Sequence, residues 1–319
     1  MPSCLVHLAS GIGNIVLATP MLLALDELGF EIDVCLDADY AQTVDLLRPW
    51  SVVRSVSVGG IAAAMRARRF DAVIPAVPPF YWARYRAHYQ DVRQPVVARS
   101  PDSVFHANEQ AYYLSFAYAL GYPSDRRVTC RLPIGAREDE DRVDLGTVVI
   151  APGCKTGTMA AKRWPYFPAL AERFADVAVV GTGDDLRQHN GEAMAFPAHV
   201  RSFVDRLTLR ETAELIAAAG VVVANDSGLA HVSGAVGTPT VVLFGPTDHD
   251  CLGPLPPQAI VLRAGLRCEP CWNAAPLEAC SHRIDCLRAL SIDRVERAVR
   301  LALGRPCTTA VRRRERHGH

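Results

Sequence analysis

The chain has 319 residues, half of them hydrophobic, and its 34 Lys plus Arg balance its 34 Asp plus Glu, so the formal charge is zero. That length suits about two domains with a core each, and the balanced charge argues against electrostatic binding of nucleic acid. No apolar run approaches the ~18 residues of a membrane span and no charged leader precedes the first apolar stretch, so the expected location is cytoplasmic.

In chain order, the apolar run 4–8 reads as a strand, a loop with Gly11 and Gly13 follows, and 15–28 has the period of a helix. Strands are expected at 32–36, 52–58 and 72–77, with helical stretches around 41–47 and 61–69. A helix at 106–120 leads into a polar segment at 135–144, where the domain boundary is expected. The second series runs strand 147–151, helix 166–174, strand 177–180, helix 208–219 and a strand–turn–helix–strand unit at 221–248. An amphipathic helix at 290–301 closes it, in a position to pack back on the first domain. The basic tail Arg312 to His319 reads as a solvated terminus, and at most as a peripheral attraction to an anionic membrane surface. Alternating strands and helices call for parallel sheets covered on both faces. The expected architecture is α/β: two Rossmann-like domains, 1–140 and 141–304, facing a central cleft at the carboxyl ends of their strands, with a tail at 305–319.

The segment 221–248 is the most informative. A β-branched run ends in Asn225-Asp226-Ser227-Gly228-Leu229-Ala230-His231, which opens a helix, and a second run leads to Phe244-Gly245-Pro246-Thr247-Asp248. At that helix start, unsatisfied N–H groups and the positive dipole end suit a phosphate or pyrophosphate. Simple capping by Asp226 or Ser227 is the alternative, and it leaves the order Asp-Ser-Gly-x-x-His unexplained. Another constellation is Ala151-Pro152-Gly153-Cys154-Lys155-Thr156-Gly157 followed by Lys162-Arg163-Trp164-Pro165. Lys162 and Arg163 can neutralise charge building on a diphosphate leaving group; a solvated cation pair is the other reading. Gly181-Thr182-Gly183-Asp184-Asp185 offers carboxylates to ribose hydroxyls, or a helix N-cap. The loop Gly11-Ile12-Gly13-Asn14 lets backbone approach a ligand, but Val16 stands where the dinucleotide fingerprint needs its third glycine, which disfavours a nicotinamide-dependent reductase.

Together these segments resemble glycosyltransferase family 9, the ADP-heptose:lipopolysaccharide heptosyltransferases, from about Cys4 to Leu303. The likeness is greatest in 225–231 and 237–248, and extends to Lys162-Arg163-Trp164-Pro165 and to the opening 11–20. The resemblance implies a GT-B fold and an inverting transfer that requires no metal cofactor. It further implies an ADP-sugar donor, ADP-heptose foremost, and a glycan, protein or small-molecule acceptor. By the same similarity Asp226, Ser227, Gly228 and His231 hold the diphosphate and its sugar, Lys162 meets the phosphates and Asp185 the ribose. Gly11, Gly13, Gly153, Thr156, Arg163 and Leu229 complete the expected donor contacts. The segment 105–114 corresponds to one that faces the acceptor, and the resemblance gives the acceptor to the domain 1–140 and the nucleotide sugar to the domain 141–304.

One departure bears on mechanism. The family's opening loop normally carries Asp, its proposed general base, where this chain has Asn14, and an amide cannot take a proton near neutral pH. Three readings follow: His106 or Glu109 is the base and Asn14 orients the acceptor; the acceptor is activated otherwise; or the protein binds a sugar nucleotide without catalysis. A sugar-nucleotide epimerase of similar architecture is a further enzymatic reading.

Of the ten cysteines, Cys4, Cys35, Cys130, Cys154, Cys251 and Cys307 are scattered and read as ordinary small side chains. The spacing Cys268-x2-Cys271-x8-Cys280-x5-Cys286 fits a tetrahedral zinc or iron site, although its second pair is wider than in a zinc ribbon. Reduced thiols or a disulfide are the alternatives. The resemblance points both ways, since many family members carry cysteines here without a known metal, while related protein heptosyltransferases hold iron in a comparable finger. A metal here is expected to be structural.

Overall fold

The computed structural model describes residues 1–90, 92–136, 143–155, 162–188, 190–252, 259–272, 280 and 284–304. The expected donor contact Thr156 and the tail 305–319 lie outside the described residues. The chain divides into two compact units, Met1–Pro133 with Asp250–Pro254, and Ile134–His249 with Leu255–His319. Each is built on a wholly parallel sheet, the GT-B type of architecture.

The first unit's sheet has the order β3-β2-β1-β4, with β1 Ser3–Leu8, β2 Glu31–Leu36, β3 Val53–Val58 and β4 Ala72–Ile74. All six residues of β1 are buried, as a central parallel strand covered on both faces requires. The expected strand 72–77 stops at Ile74 because Pro75 has no N–H to continue a ladder. The helix expected at 15–28 is two, α1 Ile12–Leu17 and α2 Thr19–Glu27, joined at Ala18. Pro20 sits in the first turn of α2, where its missing donor is tolerated; inside one long helix it would break the ladder. Helices α3 Val44–Leu47, α4 Ile61–Ala67 and α5 Pro79–Tyr85 follow. The helix expected at 106–120 is likewise divided, into α6 Asp102–Ala107 and α7 Glu109–Ala119, by the extended backbone of Asn108. The Asn108 side chain accepts from Ala111 N at 2.8 Å and caps α7.

The second unit's sheet has the order β10-β9-β8-β5-β6-β7. Its strands are β5 Val148–Ala151, β6 Val177–Val179, β7 Arg201–Ser202, β8 Val221–Asn225, β9 Thr240–Leu243 and β10 Ile260–Leu262. The short edge strands β7 and β10 were not expected; with two and three residues they carry no readable period. Helices α8 Phe167–Ala171, α9 Leu209–Ala218, α10 Gly228–Val236, α11 Asp285–Arg288 and α12 Ile292–Leu303 complete the unit. Trp164 and Phe167 are fully buried in its core, with the Trp164 indole N–H donating to Leu290 O at 3.0 Å. The apolar face of α12, Val295, Ala298, Val299 and Ala302, enters this same core. The buried face of α12 packs on the second unit's own sheet.

Strand order now fixes where chemistry can gather. In the second sheet the winding direction reverses between β5 and β8, which pair in register from Val148↔Val221 to Ala151↔Ala224. Ligands of open parallel sheets bind at the carboxyl ends of such a pair, where the two following loops part. The loop after β5 carries Gly153 and Lys162; the turn after β8 is Asp226-Ser227-Gly228. Two motifs far apart in sequence thus meet because their strands are neighbours.

Candidate active site

Asn225, the last residue of β8, ties this edge together. Its Oδ1 accepts from Trp164 N at 3.0 Å and its Nδ2 donates to Pro152 O at 2.6 Å, all buried. Beside it, Asp226 is 3% exposed. Its Oδ2 accepts from Lys162 Nζ at 2.7 Å and from Thr247 Oγ1 at 2.8 Å. Burial raises the Asp226 carboxyl, but the charge and hydrogen bond of Lys162, with smaller help from His231 and Thr247, outweigh it and hold the group below the usual carboxylate value. The His231 imidazole, buried in the first turn of α10, is pushed below its ordinary value by burial, with the Asp226 charge opposing and Lys162 adding to it. Asp226 is therefore an anion and His231 neutral at neutral pH.

Ser227 is the N-cap of α10 by backbone position, yet its side chain makes no capping hydrogen bond. The capping reading of Asp226 and Ser227 is not realised: one carboxylate oxygen holds Lys162 and Thr247, and the serine hydroxyl does not fold back. The first amides of α10 lack helical partners by geometry, and Ser227, Gly228 and Leu229 are partly exposed. Half-open amides at a helix start, with an ammonium beside them, suit an anionic phosphoryl group.

The other expected donor contacts divide. Arg163 is 3% exposed; its guanidinium donates to Asp184 O at 2.8 Å, Arg187 O at 2.7 Å and Cys154 O at 3.4 Å. It knits the loops after β5 and β6 together, so of the Lys-Arg pair it is Lys162 that is set beside α10. Asp185 Oδ2 accepts from Thr182 N and Oγ1 at 2.9 and 3.0 Å, a capping box on its own turn, and Oδ1 stands 4.0 Å from Arg163. Gly153 is required by that carboxylate, since a Cβ there would lie 2.2 Å from Asp185 Cγ.

Gly11 and Gly13 belong to the first unit. Gly11 precedes α1 and Gly13 lies inside it, so together they set the turn that presents Asn14. Asn14 Nδ2 donates to Glu109 Oε2 at 2.5 Å. Glu109 is 5% exposed and opens α7, where the helix dipole favours its anion, and its amide donates to Cys251 O at 2.9 Å. His106 is exposed at the end of α6. Of the two candidate bases, the fold brings Glu109 to Asn14.

Cys268, Cys271, Cys280 and Cys286 are free thiols. Burial raises the Cys271 thiol, with Cys280 and Cys268 and then Glu269 adding to it, and pushes Cys286 up to about 12, with Glu269 and then Cys280 and Cys268 adding. Among the described residues no three of these sulfurs lie within 4.8 Å of one another.

Two residues escaped the sequence reading. Thr247 bonds Asp226 because β9 neighbours β8. Asn225 was read as part of a turn rather than as the tie between loops. One available signal was composition: of 34 Lys plus Arg, only Lys155 and Lys162 are lysine, both on the loop after β5.

The two parallel sheets are of GT-B type, and the start of α10 at the strand reversal of the second suits a phosphoryl group. The family model for glycosyltransferase family 9 (heptosyltransferase) matches residues 76–282, and the chain belongs to this family. Lipooligosaccharide heptosyltransferase 2 of Haemophilus influenzae is 36% identical over 122 residues, 35% of this chain and 35% of that protein. The chain thus aligns with about a third of the length of that curated relative. The structure of E. coli ADP-heptose lps heptosyltransferase II superposes with a TM-score of 0.69 at 20% identity, covering 95% of this chain and 98% of that one. E. coli heptosyltransferase WaaC with ADP-2-deoxy-2-fluoro heptose gives 0.61 at 18% identity, covering 94% and 99%. Among the described residues no helix is long and apolar enough to cross a membrane.

Proposed function

We propose that this protein is an inverting glycosyltransferase that moves heptose from ADP-heptose to an acceptor hydroxyl. The observation that carries the reading is the Lys162–Asp226 pair beside the uncapped start of α10, at 2.7 Å. The ammonium has three donors and Asp226 takes one, so a diphosphate can take the others. The family and the WaaC complex supply the reason for choosing ADP-heptose.

In the proposed step the acceptor oxygen attacks the anomeric carbon, the carbon–oxygen bond to the β-phosphate breaks, and ADP leaves with the bonding pair. The acceptor proton passes to Glu109, whose carboxylate replaces the one missing at Asn14. Charge on the leaving diphosphate is met by Lys162 and the α10 amides, which fill the role a metal ion would otherwise have. The four cysteines have no part in the step. A sugar-nucleotide-binding protein without transfer is the second reading, favoured by Asn14.

The test is ADP release from ADP-heptose, with and without candidate glycan, protein and small-molecule acceptors. Acceptor-dependent release is expected. Glu109→Gln should still bind ADP but transfer about a hundredfold or more slowly. Binding of ADP-heptose with no release under any acceptor favours the second reading, and no binding at all sinks both.

A further inference from the structure

The loop after β9 reaches the Lys162–Asp226 pair through one hydroxyl. Thr247 Oγ1 donates to Asp226 Oδ2 at 2.8 Å, the same oxygen that accepts from Lys162 Nζ at 2.7 Å, and both Thr247 and Asp226 are buried. What fixes that hydroxyl lies further along the chain. The Pro246 carbonyl accepts two backbone amides, Cys271 N at 2.9 Å and Trp272 N at 3.0 Å. One residue earlier, Gly245 is pressed against α11, where a Cβ would stand 2.8 Å from Leu287 Cγ and 3.1 Å from Cys286 Sγ. Between these contacts the pyrrolidine ring of Pro246 fixes its own φ. The chain therefore leaves β9 along one path, and the Thr247 hydroxyl arrives at Asp226 already aimed.

The segment that supplies those two amides is folded by Glu269, whose side chain is 1% exposed. Its Oε2 accepts from Gly265 N and its Oε1 from Leu266 N, each at 3.3 Å. The Glu269 amide donates to Leu266 O at 3.0 Å and closes the turn over 265–269. Gly265 has a φ of 82°, the left-handed conformation that this turn asks of it. Arg263, just past β10, sets its Nε 3.7 Å from Glu269 Oε2. Apolar side chains of the same volume would serve stability as well as such a buried ion pair. What the carboxylate adds is direction: two oxygens fix two amides, and with them the course of the chain to Cys271 and Trp272.

We propose that Glu269 is a positioning residue for the Lys162–Asp226 pair: through the turn it folds, the two amides on Pro246 and the Thr247 hydroxyl, it sets the direction in which the ammonium faces the start of α10. The inference rests on the reading of that pair as the diphosphate site. The torsion that turns an aspartate carboxylate is broad, so a single donor on Oδ2 leaves the group free to rotate and carry the ammonium with it. The Thr247 hydroxyl is the second donor on that oxygen and stops the rotation. Every link is a hydrogen bond or a covalent step within the second unit, and none passes through a cysteine side chain.

The test reads the ammonium's own side chain. The chain has two lysines, so the full-length protein grown with lysine isotopically labelled at Cε gives two carbon resonances, and Lys162→Arg assigns them. Glu269→Gln keeps the shape of the side chain but turns one accepting oxygen into a donor that faces an amide N–H. It should displace the Lys162 resonance, with that of Lys155 as the reference. Thr247→Val should displace it in the same sense, and adding Glu269→Gln to Thr247→Val should move it no further, the mark of residues acting in series. ADP affinity measured by calorimetry should follow, weaker by about fivefold in each single variant and by no more in the double one. If Glu269→Gln does not fold, Glu269→Asp, with the charge kept and the reach shortened, takes its place in the same comparison. A lowered melting temperature with an unmoved Lys162 resonance makes Glu269 a support of the fold alone and overturns the proposal, as do displacements that simply add. Wild-type protein that binds no ADP overturns the diphosphate reading instead, and the Lys162 resonance then decides the relay by itself.

Discussion

Asp226 and Lys162 show what one buried ion pair does for this edge of the sheet. The side chains are 4% and 12% exposed, so neither is well solvated, and each relies on the other. Removing one partner of such a pair strands the remaining charge, at a cost of about 3–5 kcal/mol. Lys162→Met, which keeps the stem and deletes the charge, is expected to lower stability to urea by that order at neutral pH and to abolish ADP binding. The pH dependence carries the sign. In the wild type the Asp226 carboxyl sits below its unfolded value, so its contribution is complete above the ordinary carboxylate range, ~3.9, and is lost as pH falls through the folded value. In Lys162→Met burial acts with little opposition and raises the carboxyl above its unfolded value, so protonation relieves the folded state first. The deficit should be greatest near pH 7 and shrink toward pH ~4, as measured by urea midpoints. A deficit that is constant with pH would mean that lost packing, not the stranded anion, is responsible.

At the scale of elements, the βαβ unit at 221–248 was legible because its buried strands are unbroken β-branched runs and its turn is polar. The central strands β1, β2, β5 and β8 were legible for the same reason. What the sequence concealed was set by neighbours. The breaks at Ala18 and Asn108 depend on a proline in the first turn of α2 and a side-chain cap on α7, both inside stretches of helical period. Asp185 could not be told as a ribose ligand or a cap from its letters; its bonds to Thr182 make the cap visible. Nor could Gly153 be told from any loop glycine, yet Asp185 leaves it no room for a Cβ. Gly153→Ala should therefore push the Asp185 carboxylate off Thr182 and destabilise the second unit by about 1–3 kcal/mol. Asp185→Gly removes both the cap and the obstruction, so adding Gly153→Ala to it should cost little more. Thermal melts of the two single variants and the double variant decide this, and additive losses would exclude the contact as the cause.

At the scale of the whole molecule, the family's motifs are distributed over separate sheets. The loop after β1, with Gly11, Gly13 and Asn14, is in the first unit; the loops after β5, β6, β8 and β9 are in the second. Sequence similarity gave Gly11 and Gly13 to the donor with the loops of the second unit, and Asn14 to the acceptor side of the reaction. The proposed function puts the nucleotide on the second unit and the proton-accepting carboxylate on the first. Hydrogen exchange resolves that division peptide by peptide, because a bound ligand slows exchange at the amides it covers and stabilises the unit that binds it by mass action. At a hundred times its dissociation constant, ADP contributes about 2.7 kcal/mol to the state that holds it. Slowed exchange is expected in peptides containing Ser227, Gly228 and Leu229, and in those spanning β5 and Lys162. Peptides spanning Gly11 to Asn14 and the start of α7 should exchange as before. Protection centred on Gly11 and Gly13, with 227–229 unchanged, would move the nucleotide to the first unit and reverse the roles assigned to the two sheets.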